Sequence, residues 1–385
     1  MVDNHIDTAS GKADGLDKCP KCGSTEISLR PATGMLVCHF CRHEWAEAGI
    51  EQQFGLDSAI GDLRGTTVAS GAAALQESAQ DVLTLKCQAC GAEVVVNTQE
   101  ALQSRCHWCR QTLSVNTQLP NGAVPDGLLP FSITREDAIA RIDAFVKSRR
   151  FFAHPKFVRE FAPTEVVGVY MPYMLLDANT HVDLTGFGEI QTRRYTRKRG
   201  DDEVTLYDAD VYQVARSFDV HIDDVMIESS AQRADIDWSR NTNNIINSIQ
   251  PFDVKAAVAY NANYLRGFTA EKRDLDVSSL GREAHDRLLS IGRQRANDST
   301  GQYNRGVRWE TEHLDVKGTR WVAVSVPVWL YSYFDGRLTH FVAVNGRTGE
   351  TMGSVPIRYG RLIPAAVIIG IVGTAVGGFL DFFMG

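Results

Sequence analysis

The sequence predicts an α+β fold, preceded by two small zinc ribbons and followed by one transmembrane helix. Three observations predict this organisation: eight cysteines in pairs near the N-terminus, apolar strands and amphipathic helices in the middle, and an uncharged apolar run near the C-terminus. The chain has 385 residues, of which 44% are hydrophobic and 23% charged. It is therefore long enough for two or three folded units and is not disordered throughout.

The predicted units follow one another along the chain. Residues 1–17 are polar and rich in Asp and Gly, which indicates a disordered N-terminus without a secretory signal. Residues 18–45 are the first ribbon, 46–82 a linker rich in Gly, Ala and Ser, and 83–118 the second ribbon. An α+β scaffold with antiparallel β-hairpins is predicted over 125–358.

The cysteines predict two structural zinc ions. All eight fall into two C-x2-C-x15-C-x2-C sets that are offset by 68 residues. Two residues between cysteines place a pair of sulfurs on one edge of a tetrahedron, and fifteen allow a hairpin to supply the other edge. Without a signal peptide the thiols are expected to stay reduced, which favours zinc over disulfides. The predicted ligands are Cys19, Cys22, Cys38, Cys41, Cys87, Cys90, Cys106 and Cys109.

The two ribbons also share a short motif, Cys-His-aromatic-Cys-Arg, at 38–42 and 106–110. Its aromatic residue is Phe40 in the first ribbon and Trp108 in the second. Because four sulfurs already complete each zinc site, both histidines of the motif are expected to face solvent rather than to bind metal.

Charge favours protein partners over nucleic acid. Residues 1–118 contain nine Lys or Arg and fourteen Asp or Glu, a net charge of -5, and each zinc with four thiolates adds about -2. Nucleic-acid binding needs clustered cations that release counterions. The sequence therefore favours a protein-binding adaptor that a C-terminal tail anchors in the membrane, and the alternative is a zinc-ribbon regulator that binds nucleic acid in transcription or replication.

The scaffold contains clear helix and strand patterns. Thr134 begins a helix with apolar residues at 3.6-residue spacing. Further helices are predicted over 239–262 and 276–297. Strands are predicted over 164–190, over 203–216, and through most of the chain between the last helix and residue 358.

No catalytic motif is present, which predicts that the chain is not an enzyme. The sequence lacks a P-loop, an H-E-x-x-H and a G-x-S-x-G. His181 is interpreted as an isolated histidine and Asp223/Asp224 as part of a solvated turn. A basic cluster between two strands is either a solvated loop, a contact for anionic lipid or an acidic protein, or a nucleic-acid contact; it comprises Arg193, Arg194, Arg197, Lys198 and Arg199.

Residues 362–380 predict the transmembrane helix. These nineteen residues carry no charge and would span ~28 Å as a helix, close to the hydrocarbon thickness of a bilayer. Arg358 and Arg361 precede the run, which predicts a single-pass protein of the cell membrane with its N-terminal bulk in the cytoplasm. Small residues would allow this helix to associate with another helix; they are Ala366, Gly370, Gly373, Gly377 and Gly378.

Several segments together resemble a known family. They are LKCQACGAEVVVNT, RCHWCRQTLSVN, NGAVPDGLLPF, GVYMPYMLLD, NTNNIINSIQPFD, VPVWLYSY and AVNGRTGETMGSVP. This set is similar to bacterial TFIIB-type zinc-ribbon-containing membrane proteins, often labelled primosomal protein N'-like or helicase-like. The resemblance covers about residues 80–385 and implies a membrane-bound recruiter that works with phage-shock-protein A-like or flotillin-like proteins. The helicase label is not supported, because the chain has no ATPase motif.

Overall fold

A computed structural model describes the fold. The described residues are 4–6, 18–73, 82–86, 93–97, 106–108, 118–119, 125–199, 202–230, 245–273, 275–335, 337–363 and 367.

The described strands are β1 (Asn4–Ile6), β2 (Ile27–Arg30), β3 (Met35–Cys38), β4 (Glu44–Trp45), β5 (Gly65–Ala69), β6 (Val82–Lys86), β7 (Glu93–Asn97), β8 (Gln118–Leu119), β9 (Gly127–Leu128), β10 (Val167–Arg199), β11 (Asp202–Glu228), β12 (Val258–Ala259), β13 (Thr269–Glu271), β14 (Val307–Phe334), β15 (Thr339–Asn345) and β16 (Thr351–Gly353). The described α-helices are α1 (Ile50–Phe54), α2 (Arg135–Arg149), α3 (Pro155–Glu160) and α4 (Val277–Asp298). Short 3-10 helices are Ile60–Asp62, Pro163–Glu165, Asn247–Ile249, Val254–Ala256 and Ala262–Leu265.

Within these residues, 13 strands form one mixed sheet, and β2, β3 and β4 form a separate three-stranded ribbon. The long strand β10 lies at the centre of the large sheet. It pairs antiparallel with β14 on one side, from Val167 opposite Leu330 to Gly188 opposite Val307. On its other side it pairs antiparallel with β11. Strand β5, from the segment predicted as a linker, joins the sheet parallel to β14.

Two predicted helices are confirmed, and each begins at a side-chain cap. The Thr134 hydroxyl accepts a hydrogen bond from the backbone N–H of Asp137 at 3.2 Å, where α2 begins. Asp276 accepts from the N–H of Ser279 at 2.8 Å, where α4 begins. Helix α4 then buries Leu280 and Leu288 in the cluster that covers one face of β10 and β11.

The predicted helix over 239–262 is wrong within its described part, 245–262. This part contains two 3-10 helices, the short strand β12 and the first residue of a third 3-10 helix. Pro251 explains the difference: it has no backbone N–H, and its ring excludes the preceding turn of an α-helix. Apolar spacing at Ile245, Ile246 and Ile249 suggested a helix, but these side chains pack against the central sheet from irregular backbone.

The predicted fold class is also wrong, because the described chain is mainly β rather than α+β. The alternation of apolar and polar residues predicted short hairpins. The strands β10, β11 and β14 are instead long, with 33, 27 and 28 residues. Strands β10 and β14 pair with each other although they are distant in sequence, and local patterns carry no information about such pairing.

No helix among the described residues is long and apolar enough to cross a membrane. This finding corrects the predicted transmembrane helix and the predicted single-pass membrane localisation. The prediction rested on length and missing charge, although Pro364 and four glycines within 362–380 lower the propensity of that run for helix. Of the run, the structure describes Leu362, Ile363 and Val367; the small residues proposed for helix association lie outside the described residues.

Candidate metal centre and docking surface

The first four cysteines meet at one end of the ribbon. Cys19 and Cys22 precede β2, Cys38 ends β3, and Cys41 follows it. The Sγ atoms of Cys19 and Cys41 are 3.6 Å apart, as are those of Cys22 and Cys38. All four sulfurs lie within 4.8 Å of one another. Zinc with thiolates at about 2.3 Å holds sulfurs roughly 3.8 Å apart, so donor type and spacing both fit a tetrahedral metal site.

The pKa values of two of these thiols, Cys22 and Cys38, are shifted in opposite directions. The backbone N–H of Cys41, and then that of Phe40, lowers the pKa of Cys38 to about 6. The backbone N–H of Ser24 lowers the pKa of Cys22, but desolvation and the neighbouring thiols outweigh it and raise the pKa to about 12. A cation bound by the four sulfurs would displace the protons that they still carry.

The back of the ribbon belongs to the protein core. Ile27 and Leu36 are fully buried and lie in one cluster with Leu128 and Phe131 of the scaffold. The guanidinium of Arg266 donates to the carbonyl of Ile27 at 3.1 Å. Apolar burial and this hydrogen bond fix the ribbon in one orientation on the scaffold.

The front of the ribbon is exposed around the metal site. Phe40, between two ligand positions, is 78% exposed. Lys18, Lys21, His39 and Arg42 are exposed as well, and each lies next to or between cysteines of the cluster. Because the four sulfurs converge, these side chains share one end of the ribbon. We call Lys18, Lys21, His39, Phe40 and Arg42 the Phe40 surface.

The second cysteine set is described only at Cys106, which is buried in the main core. Cys87, Cys90 and Cys109 lie outside the described residues. The second metal site therefore stays a prediction.

The interpretation of His107 as solvent-facing is wrong, whereas His39 is exposed as expected. His107 is 1% exposed, and its Nε2 lies 2.7 Å from Oε2 of Glu271. Trp108 donates its indole N–H to the same oxygen, also at 2.7 Å. The sequence offered no signal for this contact, because Glu271 is 164 residues away from His107.

Three carboxylates that the sequence did not connect also come together. Asp177, Asp223 and Asp224 lie within 4.8 Å of one another at a register shift between β10 and β11. The backbone N–H of Asp224 donates to Asp177 at 2.9 Å. Arg320 bonds Asp177 at 2.6 Å, and Lys255 lies 3.7 Å from Asp223. Two cations face three acids, so the cluster favours retention of a proton.

Asp224→Asn should stabilise the protein by about 1 kcal/mol at pH 8 and by nothing at pH 4. Burial, followed by Asp223 and Asp177, raises the pKa of Asp224 from 3.8 to about 6. A raised carboxyl pKa costs stability as pH rises from the unfolded value to the folded one, and the cost is full above it. Partial exposure keeps this cost small. Asparagine also tolerates the left-handed backbone at this position, where φ is 55°.

Urea unfolding at both pH values measures this effect. An equal gain at pH 4 and pH 8, or no gain at pH 8, would contradict a charge-based origin.

His181 is not isolated, as the sequence suggested, but bonds two side chains of β11. Its Nδ1 lies 2.6 Å from Asp219 and its Nε2 lies 3.1 Å from the hydroxyl of Ser217. The bond to Asp219 raises the pKa of His181. Lys317 also donates to Asp219, at 2.6 Å. The described contacts of His181 therefore belong to an ion-pair cluster on the sheet surface.

The predicted basic cluster lies at the tip of the β10–β11 hairpin, and acidic residues of β11 lie opposite it. Arg193 pairs in register with Asp208, and Lys198 pairs with Glu203. Opposite charges on directly opposed residues attract one another. This geometry favours the solvated-hairpin interpretation over a binding site for anions.

Comparisons with known proteins identify one relative of unknown function. The chain is 23% identical over 249 residues to the uncharacterized protein YdjG of Bacillus subtilis strain 168, covering 65% of this chain and 68% of YdjG. No family model matches the chain. No solved structure matches it either. The resemblance to TFIIB-type zinc-ribbon proteins therefore stays a prediction.

Proposed function

We propose that this chain is a non-enzymatic adaptor that binds another protein through the Phe40 surface of a zinc-held ribbon. The observation that supports the proposal is the difference in burial between the two faces of the ribbon. Its back is buried in the core of the scaffold, whereas its front leaves Phe40 78% exposed. Aromatic residues are enriched at protein–protein interfaces, where a few such anchors supply much of the affinity.

Zinc has a structural role in this proposal. Cys19, Cys22, Cys38 and Cys41 would hold one ion, and the second cysteine set would hold another. Four thiolates fill the coordination shell, which leaves no position for a substrate or an activated water. The ion would instead lock the two turns that carry Lys21 and Phe40, because so small a ribbon has little core of its own.

Nucleic acid is the competing partner. The cations of the Phe40 surface and its aromatic ring could bind phosphate and stack on a base. The net charge of -5 over residues 1–118 opposes this alternative, because the surrounding field repels a polyanion. The resemblance suggests phage-shock-protein A-like or flotillin-like proteins as partners, and their identity is part of the proposal.

Photo-cross-linking in cells tests the proposal. Benzoyl-phenylalanine at position 40 should give discrete protein adducts that survive nuclease. The same group at position 151, where Phe151 is 62% exposed on the scaffold, is the matched control and should not give them. Nuclease-sensitive adducts at position 40, or adducts identical to those of the control, would contradict the adaptor function.

A further inference from the structure

We infer that the Phe40 surface recognises a carboxylate beside an aromatic ring on its partner. This inference rests on the proposed adaptor function and specifies the chemistry of the surface that would be bound. It follows from the second copy of the same motif, which the structure shows already docked inside this chain.

The two motifs match residue by residue. Cys38-His39-Phe40-Cys41-Arg42 and Cys106-His107-Trp108-Cys109-Arg110 have the same order and spacing. The first is described in full and the second at 106–108. The described part of the second motif therefore shows what its histidine and its aromatic residue bind when a surface covers them.

That internal surface combines an acid with a ring. One carboxylate oxygen of Glu271 lies 2.7 Å from both His107 Nε2 and Trp108 Nε1. The indole of Trp108 meets the ring of Phe341 edge-on, with centroids 5.1 Å apart at 90°. Desolvation strengthens these hydrogen bonds, and the edge-on contact adds a preferred ring geometry.

The first motif also presents a histidine and an aromatic ring, but within the part of the chain that the structure describes no surface like that of Glu271 and Phe341 covers its ring. Phe40 is 78% exposed, whereas Trp108 is 5% exposed. Glu271 cannot cover both motifs, since it is 6% exposed and already bonds the second. Among the described residues no surface covers the Phe40 ring, and we place such a surface on another molecule.

Charge indicates that this covering surface is acidic. Phenylalanine has no N–H, and Nε2 of His39 lies 2.7 Å from the hydroxyl of Ser28. The exposed donors on this surface are instead cationic, namely Lys18, Lys21 and Arg42. Three cations on the same surface as one exposed ring complement a protein segment that carries Asp or Glu next to Phe, Tyr or Trp.

The backbone position of Arg42 is fixed by the cysteine turn, and it is left-handed with φ at 60°. The equivalent position after the first cysteine pair is Gly23, which has φ 75° and tolerates this conformation. Both residues donate their N–H to the carbonyl of the first cysteine of their pair, at 2.8 Å for Gly23 and 2.9 Å for Arg42. This turn therefore fixes the backbone of Arg42, and with it the start of the guanidinium side chain, at the end of the ribbon.

Selection from a phage-displayed library of random twelve-residue peptides tests the inference on the zinc-loaded, full-length protein. Enriched peptides should carry an aromatic residue flanked by Asp or Glu. Synthetic versions should bind at least tenfold more weakly to Phe40→Ala and to Arg42→Gly. Arg42→Gly relieves the backbone strain, so its loss of binding could not be attributed to unfolding. Phe151→Ala should bind like the unmodified protein.

Two outcomes would overturn the inference. One is enrichment of peptides without acidic residues whose binding still depends on Phe40, which would keep the adaptor function and reject the acidic partner. The other is binding of the acidic aromatic peptides that is unchanged by Phe40→Ala and Arg42→Gly. If oligo-dT binds through Phe40 and no peptide does, the adaptor function itself fails.

Discussion

Arg320→Ala should lower the free energy of unfolding by about 3–5 kcal/mol. Arg320 donates from Nε and Nη2 to one oxygen of Asp177, at 2.9 and 2.6 Å, and from Nη1 to Ser58 at 2.8 Å. Both ions of the pair are less than 10% exposed. Removing the guanidinium leaves a buried carboxylate next to Asp223 and Asp224, and denaturant unfolding measures the loss.

The double variant Arg320→Met/Asp177→Asn is the control for this prediction. An amide oxygen can still accept the N–H of Asp224, so the double variant should recover more than half of the loss. Burial already raises the pKa of Asp177, although Arg320 opposes the rise. Without Arg320 the carboxyl retains its proton to higher pH, so the deficit of Arg320→Ala should grow from pH 5 to pH 8. A deficit that does not change with pH would contradict this origin.

Cys38→Ser should unfold the ribbon formed by β2, β3 and β4 and cost about 3–6 kcal/mol. Without a fourth thiolate the turns lose their metal, and the fully buried Ile27 and Leu36 leave the core. Burial of each such side chain contributes about 1.5–3 kcal/mol. Hydrogen exchange should lose protection in β2 and β3 while β10 and β14 keep theirs.

Phe40→Ala is the matched control in the same turn. This substitution removes an exposed side chain but no metal ligand. Its free energy of unfolding and its hydrogen-exchange protection should therefore match those of the unmodified protein. Protection of β2 and β3 in Cys38→Ser would show that packing holds the ribbon without metal.

The sequence could predict features that depend on neighbouring residues. The spacing of Cys19, Cys22, Cys38 and Cys41 encodes a local hairpin, and the structure brings these sulfurs together. Thr134 caps α2 through a residue three positions away. Such short-range geometry is readable because turn and cap chemistry depends on a few adjacent side chains.

Features made by distant pairing were not readable. Glu271 reaches His107 from β13, and Asp224 meets Asp177 across the β10–β11 register shift. No local pattern distinguishes such residues from solvated ones. The uncharged run at 362–380 shows the converse error, because hydropathy and length alone predicted a transmembrane helix that the described residues do not contain.

The role of zinc in holding the Phe40 surface is tested most directly by counting zinc ions in the folded, reduced protein by native mass spectrometry. Cys38→Ser should carry one zinc fewer than the unmodified chain, and Phe40→Ala should carry the same number. An equal zinc count in Cys38→Ser and the unmodified protein would show that Cys19, Cys22, Cys38 and Cys41 do not form a zinc site.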